Sequence, residues 1–140
     1  MNRNLLIAGG LSLLASLLHL ACIVGGPAWY RFFGAPPDLA AAAGRGEWWP
    51  ALVTLGIAAV LALWALYAFS AAGWLRRLPL LKPALLIITA IYLLRGLVLF
   101  PIWLWRPEAL NAFALWSSLI CLGYGLFHAV GLGQRWRQLA

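Results

Sequence analysis

Long apolar stretches alternate along this chain with short connections that are basic, aromatic or acidic. Four stretches, residues 5–25, 50–72, 83–105 and 112–132, are each long enough to cross a bilayer as one helix. Breakers punctuate them: Gly25-Gly-Pro27 after the first, Gly73 and the two prolines Pro79 and Pro83 between the second and third, and Pro107 after the third. Pro50 suits the first turn of the second helix, where its missing N–H costs nothing. Pro101 falls inside the third, where it cannot donate to the carbonyl of Leu97, so a kink is expected there.

Within the first stretch Gly9, Ser12, Ser16, His19, Ile23 and Gly26 recur at alternating spacings of three and four, which sets them on one helix face. Ser117, Cys121, Tyr124, His128 and Gly131 repeat the pattern in the fourth. The second carries Ala58, Ala59, Ala62, Ala65 and Ala68. In lipid, small and hydrogen-bonding faces pack on other helices, so these stripes are expected to point inward. The fold class is therefore all-α, an integral membrane bundle of four helices running up, down, up and down, forming a single domain over residues 1–140. The connection between the first two helices holds Trp29-Tyr-Arg-Phe-Phe33, Gly34-Ala-Pro-Pro37 and Gly44-Arg-Gly-Glu-Trp-Trp49. Rings interleaved with arginine suit the headgroup layer, and the segment is expected as an interfacial loop or short helix over the bundle mouth.

One residue breaks the pattern. Arg95 stands near the centre of the third stretch, in Ile91-Tyr-Leu-Leu-Arg-Gly96, where a guanidinium costs roughly 2.5–3.5 kcal/mol on insertion scales. A partner, a wet cavity or a ligand must offset that cost. At about 1.5 Å per residue Arg95 lies roughly 17 Å up its helix, and His19 roughly 21 Å up its own. Glu47 falls at the mouth where the second helix begins. Arg95, His19, Tyr92 and Glu47 are thus the candidate ligand-binding residues of one outward-facing polar pocket, although Arg95 and Glu47 differ in depth by well over about 10 Å. Arg95 bridging helices through carbonyls and hydroxyls alone is the plainer alternative. His128 lies about 13 Å deeper than His19, too far to share one haem, and is read as structural.

Charge sets the orientation. The chain has 10 Lys and Arg against 3 acids, and 65% of its 140 residues are apolar. Arg3, Arg76, Arg77, Lys82, Arg135 and Arg137 fall at one end of the helices, while Asp38, Glu47 and Glu108 all belong to the other. The positive-inside rule places both termini in the cytoplasm, with the basic end against anionic lipid. No basic helix stands free to enter a groove, so nucleic acid is not an expected partner. His19-Leu-Ala-Cys22 has a histidine where a lipoprotein cleavage box takes an aliphatic residue, and the first helix is read as uncleaved. Cys22 and Cys121 sit in apolar runs without ligand spacing, so no metal and no cofactor are expected. No nucleophile elbow, phosphate loop or dinucleotide fingerprint is present, and no catalytic residue is assigned.

Tyr30-Arg-Phe-Phe-Gly-Ala-Pro36, Leu66-Tyr-Ala-Phe-Ser-Ala-Ala-Gly73 with Leu78-Pro-Leu-Leu81, and Ile91-Tyr-Leu-Leu-Arg-Gly96 resemble segments of small four-helix inner-membrane proteins of bacteria. The resemblance implies that architecture and a bacterial inner membrane, with no activity attached. The expected function is non-enzymatic: binding a small polar or anionic molecule, a lipid headgroup or another amphiphile around Arg95. An auxiliary subunit that forms a homo-oligomer or docks on a larger membrane partner is the first alternative. A membrane enzyme acting on a lipid-soluble substrate, with His19 or Glu47 as acid–base group, is the second.

Overall fold

The computed structural model of the chain describes residues 1–110 and 112–139; Asn111, the last residue of the connection before the fourth span, lies outside the described residues. The described residues form helices and turns, without strands. The helices are α1 (Arg3–Gly25), α2 (Pro27–Phe32), α3 (Pro37–Gly44), α4 (Trp49–Ala72), α5 (Leu81–Leu97), α6 (Leu99–Trp105) and α7 (Ala112–Arg135), with a 3-10 turn at Pro107–Ala109. Among the described residues four spans are long and apolar enough to cross a membrane: Arg3–Gly25, Trp49–Ala72, Leu81–Trp105 and Ala114–Arg135.

Local chemistry explains where these helices stop. Asn2 caps α1, its Oδ1 accepting the backbone N–H of Leu5 at 2.9 Å. Gly26, at φ 77° and ψ −155°, ends α1 in a region closed to side chains and lets Pro27 open α2. At the end of α4, Gly73 takes φ 94°, Trp74 N–H bonds Phe69 C=O, and Gly73 N–H bonds Ser70 C=O. This is a Schellman ending, completed by the edge-on contact of Trp74 with Phe69 at 5.0 Å. The third span is interrupted at Val98, between α5 and α6. Pro101 supplies no N–H to Leu97, so the helical ladder fails one turn before it, where the kink was expected.

The chain packs as two compact units, Met1–Leu11 with Trp64 onward, and Ser12–Leu63. In the first, one end is stitched by hydrogen bonds. Asn2 and Asn4 both donate to Gln134 Oε1, at 2.7 and 3.1 Å, and Asn2 N–H bonds Ala72 C=O. Ser70 Oγ donates to Arg76 C=O and accepts from Leu78 N–H, holding the turn after α4. Leu81, Leu85, Ile88, Thr89, Tyr92 and Gly96 form the buried stripe of α5, at helical spacing.

That stripe meets α7 at glycine on both sides. A Cβ at Gly96 would stand 2.7 Å from Leu122 Cα, Cβ and N, and one at Gly125 would stand 2.7 Å from the Leu93 side chain. The two backbones are therefore in direct contact, as small residues permit in lipid.

The second unit has its own small core, in which Cys22, Tyr30 and Ala40 are buried with Phe33 and Leu39 against them. Ser16 on the predicted inward stripe of α1 donates to Ala58 C=O of α4 at 2.7 Å. The connection expected as a loop or short helix is the helix pair α2 and α3. Tyr30 is 5% exposed, and its hydroxyl meets Thr54 Oγ1 at 3.0 Å. Thr54 spends its one proton on Pro50 C=O, so Tyr30 is the donor to Thr54. Trp29, Phe32 and Trp48 remain exposed.

Candidate functional site

Close approach of α5 and α7 brings Arg95 within reach of a pair of serines. Its Nη1 donates to Ser118 Oγ at 3.0 Å and its Nη2 to Ser117 Oγ at 3.1 Å. Arg95 flanks the buried stripe of α5, next to Gly96 and one turn after Tyr92, and its side chain is exposed. Ser117 in turn donates to Ala114 C=O, which leaves its lone pairs toward the guanidinium.

Both partners are neutral. Ion pairs among the described residues join Arg45 to Glu47 and Arg106 to Glu108, so no carboxylate answers Arg95 there. A guanidinium has five N–H donors, and two are occupied. Arg95 also lies in the last turn of α5, three residues before the interruption at Val98. A cation is favoured there by the negative end of the helix, and an interrupted ladder at membrane depth is tolerated where it lines a site or is buried in protein.

Tyr92 is buried one turn back, with Trp64 at 5.2 Å, Tyr124 at 5.4 Å and His128 at 5.1 Å between ring centroids. His128 is 0% exposed. Its Nδ1–H donates to Tyr124 C=O at 2.8 Å, which fixes the tautomer and leaves Nε2 as an acceptor without a partner. The structural reading of His128 from depth thus meets a ring held inside an aromatic cluster.

His19 and Glu47 belong to the second unit and are engaged locally. His19, half-buried, donates Nδ1–H to Ala15 C=O one turn back at 2.7 Å. Glu47, exposed, takes both Nε and Nη2 of Arg45, at 3.3 and 3.2 Å, and Trp49 Nε1 at 3.0 Å. The Arg45 hydrogen bonds, then that of Trp49, hold its carboxyl below the usual carboxylate range. Of the four candidates, Arg95 and Tyr92 share one unit and one helix face region.

Ser118, Gly96 and Gly125 complete the Arg95 site without having been singled out from the sequence. Depth alone did not point to the serines, since Ser117 and Ser118 lie about 8–9 Å into α7 while Arg95 lies about 15 Å from Trp105. Among the described residues no group of three His, Cys, Asp or Glu side chains could hold a metal ion. No protein family, curated protein or solved structure matches the chain.

Proposed function

We propose that this is a small multi-pass membrane protein that binds the polar or anionic group of an amphiphile at Arg95, without catalysing a reaction. One observation carries the reading: an exposed guanidinium in mid-span, anchored by Ser117 and Ser118, with donors left over and no carboxylate beside it. In lipid such donors need acceptors, and a phosphate or carboxylate matches the planar fork of arginine. The two serines hold the fork in place before the ligand arrives, which lowers the ordering cost of binding.

In this reading the four spans alternate in direction and the site opens toward the outer leaflet of a bacterial inner membrane. Support comes from the basic end, where the start of α1, the end of α4 and the end of α7 are hydrogen-bonded together. Beyond Arg95, α6 has no buried residue, and Phe100, Trp103 and Trp105 are exposed, leaving an apolar and aromatic wall for a chain or tail. The same bare helix is what favours the second reading, a subunit whose partner covers α6.

The test is a binding titration of the purified protein with a long-chain fatty acid, its phosphate-ester counterpart and the neutral alcohol of equal length. The anionic forms bind more tightly than the alcohol. Arg95→Leu abolishes that difference, and Arg95→Lys, which keeps charge without the fork, is intermediate. Equal binding by wild type and Arg95→Leu would overturn the assignment and favour the subunit.

A further inference from the structure

Charge and depth together narrow what Arg95 can hold. From Pro83 to Trp105 it is the one charged residue, and none falls within residues 49–72 or 112–134. The site therefore offers a single positive charge. A ligand with one negative charge leaves the middle of the span neutral. A phosphate monoester at about pH 8 carries close to two, and leaves one uncompensated. An unpaired charge near the centre of a bilayer is strongly disfavoured.

Arg95 lies about 15 Å along the helix from Trp105, half of a hydrocarbon core about 30 Å thick. Trp103 and Trp105 are exposed and Arg106 follows them, which is the make-up of a headgroup-level belt. A phospholipid diester stays charged, and two chains hold its headgroup at that level, far from Arg95. A long-chain carboxylic acid has another route, because an apolar medium favours its neutral form and it can reach mid-span with its proton on. Beside the guanidinium the opposite charge favours the carboxylate; the O–H proton is lost to water and the two oxygens accept N–H groups. Ile91 and Val98 stand one turn either side of Arg95 on its face, and Leu115 one turn before Ser118. All three are exposed and aliphatic, a surface for an acyl chain in both directions.

We infer that Arg95 takes the carboxylate of a free long-chain acid rather than a phospholipid headgroup, an assignment that rests on Arg95 being a ligand site. Ser118 and Ser117 fix Nη1 and Nη2 at 3.0 and 3.1 Å, and the remaining N–H donors receive the carboxylate oxygens. One cation meets one anion, and the acyl chain lies on the aliphatic surface beside them.

The experiment uses the full chain in phosphatidylcholine nanodiscs at about pH 8, where a phosphate monoester has lost its second proton. Palmitate and hexadecyl phosphate are titrated in, with dioctanoyl phosphatidylglycerol and acetate as competitors. Palmitate saturates at one molecule per chain, and hexadecyl phosphate, with a chain of equal length, binds at least about tenfold more weakly. Neither competitor displaces palmitate at equal concentration. Arg95→Leu weakens palmitate binding at least about tenfold, the effect of losing a charged hydrogen bond, and Arg95→Lys weakens it less. The ligand ranking is read on wild type, so it holds whether or not a variant folds. Hexadecyl phosphate binding as tightly as palmitate, with both lost in Arg95→Leu, would overturn the carboxylate while leaving Arg95 an anion site. Displacement by phosphatidylglycerol would overturn the free acid in favour of a phospholipid headgroup, and displacement by acetate would do so in favour of a small soluble carboxylate. Unchanged palmitate binding in a folded Arg95→Leu would overturn the ligand site itself.

Discussion

Replacing Gly96 by alanine places one methyl group where α5 and α7 touch. The added carbon would stand 2.7 Å from Leu122 Cα, Cβ and N, against an ordinary carbon contact of about 3.5–4.0 Å. Two of those three atoms are backbone, so no rotamer change relieves the overlap and the helices must separate by about 1 Å. Overpacking of this kind costs about 1–3 kcal/mol. Separation also lengthens the bonds from Arg95 to Ser117 and Ser118, now 3.1 and 3.0 Å, beyond useful range. Gly123 on α7 is the control: a Cβ there meets nothing within 4 Å, so Gly123→Ala should be neutral or slightly stabilising. Reversible unfolding in mixed micelles should therefore rank Gly96→Ala below wild type by about 2 kcal/mol, with Gly123→Ala at or above wild type. Equal stability of the two variants would refute the direct α5–α7 contact and, with it, the placement of Arg95 on the serine pair.

Three further outcomes follow from particular contacts. Thr54→Val leaves the buried Tyr30 hydroxyl without its acceptor and should lower stability by about 1–3 kcal/mol, whereas Tyr30→Phe, which leaves Thr54 bonded to Pro50, should cost less; the same micelle unfolding measures both. Glu47 has its carboxyl lowered by Arg45 and Trp49, so this interaction adds stability above the usual carboxylate value and is lost as pH falls through the lower folded value; carbon-13 titration of the Glu47 carboxyl should show that low midpoint, and Arg45→Gln should raise it. Pro101→Ala restores an N–H to the Leu97 carbonyl, and amide exchange between residues 98 and 102 should slow as α5 and α6 merge.

Much of this architecture is written plainly in the chain. Runs of about twenty apolar residues and their glycine and proline boundaries locate the spans, because no water is available to satisfy backbone groups of any other conformation in lipid. The small-residue stripes also carried information: Ser16 bonds Ala58 C=O, and His128 is fully buried. Gly96 and Gly125 did not announce themselves, since a glycine in an apolar run signals close packing only once its partner helix is known. The depth of Arg95 demanded a partner, but adjacent serines do not share a helix face, and only a long forked side chain can span both. His19 and Glu47 show a different limit. Their bonds reach Ala15, Arg45 and Trp49, two to four residues away, and local hydrogen bonds of this kind are invisible to an argument from helix depth. The left-handed turn at Leu80, with φ 54°, was illegible for a third reason, because nothing in Pro79-Leu80-Leu81 marks such a residue.

The central claim is that Arg95 holds a ligand rather than only bridging α5 to α7. Mass analysis of the small molecules that copurify with wild type and Arg95→Leu addresses it most directly, with Arg95→Leu remaining folded because apolar replacement of a costly charge is often neutral or stabilising. The expected result is an anionic or polar amphiphile, near one per chain, in wild type and its loss from Arg95→Leu. Identical contents in wild type and Arg95→Leu would contradict it and leave Arg95 as a bridge between the two helices.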